Sequence, residues 1–334
     1  MVTETIPVVD LSSKNLIHGT PTWVSACNDV RKAMEQHGCF KAIFYGGGGD
    51  SSSSTQLHND IFAAAGELFS LPTETKQRNT SSKPYFDYFG QSQLFPLTES
   101  LAVDHPTSSL ATRSFADVMW PAGNLSFCES TISFSKVTAE LDQTVMRIIC
   151  ESYGVDGGHY EYYLEAANYV LRFYRYTVPK TAGESNVGLG AHADKSMISI
   201  LRQSIRGLQI KAPDDDSWVE VDEMSPSSFL VMAGDALMAW SNGRIKSCRH
   251  QVIMSEKETR YSVGLSSVIN GVVHIPTELG YYSSSNDDDG EVEEEESGKP
   301  FRCRAFDHFG LLQFIRSGEA KNYDSAIQDY CGVV

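Results

Sequence analysis

The sequence has 334 residues, 41% hydrophobic and 21% charged, which is the composition of an ordinary globular protein with a sizeable core. Its 27 basic and 43 acidic residues give a formal net charge of −16, which argues against nucleic-acid and anionic-membrane partners. Eight of the acidic residues lie in one run at 283–298, so the rest of the chain is only moderately acidic.

The cysteine content and the lack of targeting patterns indicate a cellular compartment. The seven cysteines show no CxxC spacing, which predicts neither a disulfide framework nor a zinc-thiolate site. No secretory pattern opens the chain, and no run of roughly 18 apolar residues occurs. We therefore expect a cytoplasmic protein with no nucleic-acid or membrane partner, and a monomer.

The N-terminal region alternates strand and helix patterns. Alternating apolar residues predict a strand at 6–11, and apolar residues at helical spacing predict helices at 23–37 and 56–69. Gly38 suits the position just past the end of the first helix. The Gly/Ser-rich stretch at 47–54 predicts a loop and lacks the phosphate-binding P-loop pattern.

The middle of the chain changes from irregular to helical and then to β-rich sequence. Residues 80–130 predict irregular connections, and an apolar stripe predicts a long helix at 131–153 that braces a sheet. Short β-rich segments separated by turn residues then follow at 168–177, 197–201, 207–211, 217–221, 228–232, 236–240, 248–254 and 259–269. This spacing predicts an antiparallel double-sheet jelly roll.

The predicted fold class is mainly β with flanking helices, a double-stranded β-helix (jelly-roll) core preceded by an α/β N-terminal region. We expect the N-terminal region to span 1–115 and the jelly-roll region to span 116–334. The acidic run at 283–298 is predicted to be disordered, with a partner-docking segment as the alternative. Residues 301–330 predict a C-terminal helix.

Three side chains have the chemistry of a metal site. His192 and Asp194 are two positions apart, and residues at i and i+2 of an extended segment point to the same side. His250, in a neighbouring β-rich segment, completes a set of two imidazoles and one carboxylate. This facial triad is typical of non-haem iron sites and leaves coordination positions open. HxD alone is a weak motif, since an interior histidine is usually only a hydrogen-bonded core residue.

A second pair of residues indicates what such a metal works with. Arg260 and Ser262 lie ten and twelve residues after His250 and face the same side of the next strand. A guanidinium grips a carboxylate through parallel hydrogen bonds, and a hydroxyl adds one more donor. The pattern therefore favours a small dicarboxylate that is bound by the metal at one end and by Arg260 at the other.

These residues resemble the metal and 2-oxoglutarate signature of the plant soluble 2-oxoglutarate/Fe(II)-dependent dioxygenases. The resemblance covers nearly the whole chain, through IPVVDL at 6–11, EQHGCF at 35–40, LFSLPTETKQRN at 68–79 and LRFYRY at 171–176. KPYFDYFG at 83–90 and WSNGRIKSCRHQV at 240–252 are most similar to the branch that contains the glucosinolate-side-chain (alkenyl/hydroxyalkyl-producing) enzymes.

The resemblance implies a set of cofactors and roles. Fe(II) would be held by His192, Asp194 and His250. The co-substrates would be O₂ and 2-oxoglutarate, the latter held by Arg260, Ser262 and Tyr176, with ascorbate as reductant. The reaction would oxidise a small plant specialised metabolite or hormone by hydroxylation, desaturation or dealkylation, with release of succinate and CO₂. The substrate walls would include Phe115, Phe306 and Phe309.

The chain departs from the family pattern at two positions. The family's asparagine two residues before Tyr176 is Tyr174 here, so the wall of the co-substrate site is altered. Ser266 stands where flavonoid-acting members often have an aromatic residue, which argues against a flat flavonoid substrate. Asp194 argues against halogenation, since related halogenases lack this carboxylate.

Two alternatives remain open from the sequence. One is an iron oxidase of the same fold that does not use 2-oxoglutarate. The other is a non-catalytic jelly roll that binds a small molecule. Catalytic zinc also uses three protein ligands, so the ligands alone do not exclude it, but the adjacent Arg260 and Ser262 favour iron.

Overall fold

The computed structural model describes residues 5–12, 16–47, 49–93, 95–179, 185–213, 217–222, 224–254, 258–280, 302–320 and 322–332. The acidic run at 283–298 lies outside these residues. None of the described helices combines the length and the apolar character needed to cross a membrane.

The N-terminal part contributes three strands and four helices: β1 (Val8–Asp10), α1 (Pro21–His37), β2 (Cys39–Ile43), α2 (Ser51–Ser70), α3 (Thr73–Lys76), β3 (Thr98–Asp104) and α4 (Ser109–Met119). The predicted strand and both predicted helices are confirmed. The prediction of a loop over 47–54 was wrong at its end, because Asp50 and Ser53 form a capping box that starts α2 at Ser51. The prediction that 80–130 is irregular was also wrong, since β3 and α4 lie there.

Two helices link this part to the strands that follow: α5 (Leu125–Ser152) and α6 (Gly157–Ala166). The predicted long helix is confirmed as α5, but it begins six residues earlier than expected. Asn124 caps it, because its side-chain oxygen accepts a hydrogen bond from the amide of Phe127 at 2.9 Å. At about 1.5 Å per residue, α5 extends roughly 40 Å across one face of the sheet.

The remaining elements are β4 (Ala167–Tyr176), β5 (Val187–Ala193), β6 (Ile198–Gln203), β7 (Leu208–Lys211), β8 (Trp218–Glu220), β9 (Ser228–Ala233), α7 (Asp235–Trp240), β10 (Arg249–Ile253), β11 (Arg260–Ile269), β12 (Val272–Val273), a 3₁₀ turn (Thr277–Leu279), β13 (Phe306–Asp307), α8 (His308–Arg316) and α9 (Ala326–Cys331). Seven of the eight predicted strands are present. The strand predicted at 236–240 is the helix α7, whose first amide, at Asp235, donates to the carbonyl of Asp194. The sequence did not predict β5, and the C-terminal helix is divided into α8 and α9.

The strands form a jelly roll of two principal sheets, as predicted. The larger sheet has the order β1-β2-β9-β6-β11-β4-β3, and the smaller sheet has the order β5-β10-β7-β8. The N-terminal strands β1, β2 and β3 therefore extend the same sheet as the strands of the jelly roll. One apolar core lies between the larger sheet and α1, α2 and α5, and a second lies between the two sheets. The side chains that the sequence predicts as metal and co-substrate ligands surround this second core.

One covalent link differs from expectation. The sequence predicted no disulfide framework, whereas the structure joins Cys303 to Cys331. A backbone bridge between Cys303 and Gly332 brings the two segments together, and the amide of Arg304 donates to the carbonyl of Cys331 at 3.0 Å. The other five cysteines are free and buried.

The end of α1 gives a matched test of backbone geometry. Gly38 and Gly154 both have left-handed backbone angles, φ 67° and 65°. A β-carbon at Gly38 would overlap the carbonyl oxygen of Lys246, whereas a β-carbon at Gly154 meets open space.

We expect Gly154→Ala to lower the free energy of unfolding by about 1–2 kcal/mol through the backbone conformation alone. Gly38→Ala adds a steric overlap and should cost about 1–3 kcal/mol more. Urea unfolding followed by tryptophan fluorescence measures both variants. Equal losses in the two variants would contradict the steric argument.

Candidate functional site

The three predicted metal ligands lie together at one end of the smaller sheet. His192 on β5 and His250 on β10 are directly opposite each other in the antiparallel pair, and their ring centroids are 4.3 Å apart. Asp194 follows β5, with its Oδ1 3.7 Å from Nε2 of His192 and 3.9 Å from Nε2 of His250. One donor atom from each residue lies within 4.8 Å of the other two, so the three can hold a single metal ion.

Hydrogen bonds orient both imidazoles for metal binding. Nδ1 of His192 is 2.8 Å from the carbonyl of Gly190, and Nδ1 of His250 is 3.0 Å from the carbonyl of Cys248. Because a carbonyl oxygen only accepts, each Nδ1 donates a proton, and each Nε2 is the ring nitrogen that remains for a metal. Burial, and next the neighbouring His250, lower the pKa of His192 to about 4, so His192 is neutral at pH 7.

The carboxylate ligand is held by the backbone around it. Burial opposes ionisation of Asp194, but His250, His192 and the hydroxyl of Ser199 together hold the pKa of the carboxyl below its ordinary value. The carbonyl of Asp194 accepts a hydrogen bond from the amide of Asp235 at 2.8 Å. Gly234 lies so close to this turn that a β-carbon there would overlap backbone oxygens. The start of α7 therefore fixes the loop that carries Asp194.

Arg260 lies deep between the sheets without an acidic partner among the described residues. It is 1% exposed, and its Nη2 donates to Oε1 of Gln203 at 2.8 Å. Its Nε and Nη1 are buried and have no hydrogen-bond partner. Burial lowers the pKa of this guanidinium from its usual value. An unpaired charged donor is costly inside a protein, so this geometry favours an anionic ligand.

The two other predicted co-substrate residues lie next to Arg260. Tyr176 on β4 is paired directly with Arg260 on β11, and the guanidinium lies 5.0 Å from the centre of its ring. Burial raises the pKa of Tyr176, so the phenol stays protonated and able to donate. Ser262 is also buried, but its hydroxyl donates to the carbonyl of Arg202 at 3.1 Å. Ser262 has to rotate before it donates to a ligand.

Tyr174 takes the place of the expected asparagine and forms part of the wall. It is paired with Ser262 across the strands, and its ring stacks on that of Tyr176 with centroids 6.0 Å apart and an angle of 13° between the planes. Burial raises the pKa of Tyr174 as well, so it presents a neutral phenol. A flat aromatic face thus replaces an amide in the wall near Arg260.

Two connected cavities meet at the triad, and we call them the inner pocket and the outer chamber. The inner pocket, of about 70 Å³, is bounded by the triad, Arg260, Ser262 and Tyr176. The outer chamber, of about 640 Å³, has the size of a small-molecule site. The residues that line both are Arg172, Tyr174, Leu189, His192, Asp194 and Ser266. The triad therefore lies where a small co-substrate and a larger substrate would meet.

The three predicted substrate-wall phenylalanines lie outside the lining of this chamber. Phe115 stacks on Phe127 in the main core at 5.7 Å, and Phe306 is buried in the same core. Phe309 packs against Phe86, with ring centroids 5.8 Å apart. Phe309 therefore lies behind Phe86, which lines the outer chamber.

Sequence reasoning missed several residues that shape the chamber. Arg172 has the same two-residue spacing from Tyr174 as Tyr174 has from Tyr176, so alternation along the strand was a usable signal. Lys195 forms a buried ion pair with Asp235, with Nζ and Oδ2 2.5 Å apart. No local pattern predicts this pair, because the two residues are 40 positions apart.

Known proteins with similar sequences and structures agree on one family. Residues 166–266 match the family model of the 2OG-Fe(II) oxygenase superfamily, and residues 6–121 match the N-terminal family model described as non-haem dioxygenase in morphine synthesis. An Arabidopsis thaliana protein named "Probable 2-oxoglutarate-dependent dioxygenase AOP1.2" is 37% identical over 310 residues, which cover 91% of this chain and 90% of the relative.

Solved structures show the same architecture. A 2-oxoglutarate complex of a dioxygenase for auxin oxidation from Arabidopsis thaliana has a TM-score of 0.67 at 25% identity, covering 78% of this chain and 92% of that one. The rice dioxygenase for auxin oxidation has a TM-score of 0.74 at 22% identity, covering 98% and 100% of the two chains.

The geometry of the triad predicts a single metal site that depends on each ligand. We expect His250→Ala to weaken Mn(II) binding by more than the roughly 10–100-fold typical of losing a group that merely orients a ligand. His105→Ala is the control, because His105 is exposed and distant in sequence from the triad. Isothermal titration calorimetry measures both. Near-wild-type affinity in His250→Ala would remove His250 from the ligand set.

Proposed function

The chain belongs to the 2OG-Fe(II) oxygenase superfamily, and from this premise we propose how its own residues serve a dioxygenase that uses Fe(II) and 2-oxoglutarate. The fully buried guanidinium of Arg260, with two unused donors and no carboxylate partner among the described residues, is the observation that carries the assignment of the co-substrate pocket. We further propose that the substrate is a small plant specialised metabolite or hormone.

We assign the metal to His192, Asp194 and His250, because their donor chemistry suits Fe(II). Two imidazoles and one carboxylate form the facial triad of non-haem iron enzymes and leave positions for other ligands. The orientation of both Nδ1–H groups toward carbonyls supports this assignment, since it leaves both Nε2 atoms available. The absence of a thiolate from the set disfavours structural zinc.

We assign the 2-oxoglutarate carboxylate remote from the metal to Arg260. A carboxylate there would accept from Nη1 or from Nε, the donors that the protein leaves unused. Tyr176 adds a protonated phenol beside it, and Ser262 adds a hydroxyl after rotation away from Arg202. Gln203 fixes the guanidinium from its other side, so Arg260 is already oriented before the ligand arrives.

The chain's remaining contributions are orientation and exclusion of water. Together with O₂, bound Fe(II) and 2-oxoglutarate would supply the oxidising power. The 2-oxoglutarate would leave as succinate and CO₂. Tyr174 lines both the inner pocket and the outer chamber, so its ring would lie between bound 2-oxoglutarate and a substrate. Ser199 and the start of α7 hold Asp194 in place while a substrate binds in the chamber. A C–H bond that faces the triad would be the bond oxidised.

We also propose that the protein is a cytoplasmic monomer that contacts neither nucleic acid nor membrane surfaces. Its net charge of −16 disfavours binding to polyanions. Five free cysteines support a reducing compartment, although the Cys303–Cys331 pair is unusual there.

The role of Arg260 can be tested by a change that keeps its charge. Arg260→Lys loses the planar fork, so we expect at least about a tenfold rise in the 2-oxoglutarate dissociation constant with little change in Fe(II) binding. The measurement is an anaerobic titration of the Fe(II)-loaded protein, followed by the absorbance band that 2-oxoglutarate produces.

Arg206→Lys is the matched control, since Arg206 is half-exposed and forms only surface ion pairs. An unchanged midpoint in Arg260→Lys would reject the assignment. Turnover without succinate would instead support the same-fold oxidase, and the lack of any 2-oxoglutarate-dependent band would support a binding protein.

A further inference from the structure

The outer chamber has an apolar wall and one charge that forms no ion pair among the described residues. Its apolar lining includes the residues Phe86, Phe89, Phe95, Val170, Val268 and Leu312. The basic residues that line it are Arg172 and Lys195, and the acidic ones are Asp194 and Asp324. The substrate class therefore depends on which of these charges are already compensated within the protein.

Each of these charged groups except Arg172 either forms an ion pair or belongs to the metal triad. Lys195 pairs with Asp235 at 2.5 Å, and Asp324 pairs with Arg249 at 2.7 Å. Asp194 belongs to the metal triad. Among the described residues, no carboxylate forms an ion pair with Arg172.

The hydrogen bonds of Arg172 hold it in place without neutralising it. Nη1 donates to Oγ of Ser100 at 2.7 Å, and Nη2 donates to the backbone carbonyls of Tyr85 and Asp87. The nearby carboxylate of Asp87 is engaged by Arg316, with Nη2 and Oδ2 2.7 Å apart. The acceptors of these three hydrogen bonds are all neutral, so they leave the charge of Arg172 uncompensated.

Arg175 on the same strand is an arginine whose charge is compensated by an ion pair. It faces the opposite side of β4 and pairs with Glu99 at 2.6 Å, so its charge is balanced inside the protein. Arg172 lies on the same face of β4 as Tyr174 and Tyr176, two and four residues further along, and lines the chamber together with Tyr174. At about 3.3 Å per residue, Arg172 lies roughly 13 Å along the strand from the position opposite Arg260.

We propose that the outer chamber selects an organic anion, a carboxylate or sulfonate-like oxyanion on an apolar body, and that Arg172 binds the anionic group. This proposal rests on the proposed function, because it takes Arg260 to be occupied by 2-oxoglutarate. The two arginines then serve different ligands at opposite ends of one strand face. Since Arg172 lines both cavities, the anionic group is held close to the triad and restricts which C–H bond reaches it.

The test uses the protein loaded with Mn(II) and saturating 2-oxoglutarate, which prevents turnover and blocks Arg260. Calorimetric titration compares 3-phenylpropanoate and 3-phenylpropane-1-sulfonate with the neutral 3-phenylpropanamide. We expect the wild type to bind at least one of the two anions about tenfold or more tightly than the amide. The preferred anion tells whether the site suits a planar or a tetrahedral group.

Three variants separate charge recognition from loop support. Arg172→Gln should bring the anion-to-amide ratio of affinities close to one, and Arg172→Lys should retain part of the preference. Arg316→Gln loosens the same 85–87 loop through Asp87 but leaves the chamber charge, so it should keep the wild-type ratio. All three should bind 2-oxoglutarate as the wild type does.

The proposal is overturned if the wild type binds neither anion, binds the amide as tightly as both anions, or keeps its preference in Arg172→Gln. An equal loss of anion and amide binding in Arg172→Gln and Arg316→Gln would assign Arg172 to loop support instead. Failure of 2-oxoglutarate itself to bind would refute the proposed function, whereas normal 2-oxoglutarate binding without anion preference refutes this inference alone.

Discussion

The pairing of β11 with β4 is the constraint on which the site depends. It sets Arg260 opposite Tyr176, Ser262 opposite Tyr174 and Gly264 opposite Arg172, so the inner pocket and the chamber wall follow from one register. A shift by one residue would turn these side chains into the helix-packed core and bring apolar ones inward. In the same way, the register of β10 with β5 places His250 opposite His192 at the metal site.

Groups that pack on the other face of β11, and that take no part in the site, stabilise this register. Ser267 on β11 donates to Asp142 of α5 at 2.9 Å, and Tyr163 and Tyr169 donate to the other oxygen of the same carboxylate. Burial raises the pKa of Asp142 to about 6, although the three hydroxyls oppose the rise. The long helix thus anchors the outer face of the strand whose inner face carries Arg260 and Ser262.

Strand periodicity explains which parts of the site the sequence predicted. His192, Asp194, Arg260 and Ser262 follow a two-residue spacing that needs no tertiary knowledge. The strand β5 was missed because VGLGAHA is rich in glycine and alanine, and α7 was taken for a strand because a six-residue apolar run suits either structure. The substrate wall was harder, since it joins residues near 85–95 to residues near 312–324, far apart in sequence. Phe115 and Phe306 were predicted for this wall, but both pack in the main core.

Arg260 in the inner pocket and Arg172 in the outer chamber differ in what they cost the free energy of folding. Arg260 is fully buried with unused donors, so it destabilises the fold until a carboxylate arrives. Arg172 is half-buried and bound by neutral acceptors, so its charge is tolerated without a ligand. The deep guanidinium therefore favours a ligand that is always required, and the shallow one suits a ligand that comes and goes. Tyr174 lies between them and contacts both cavities, so a change in either ligand acts on the same ring.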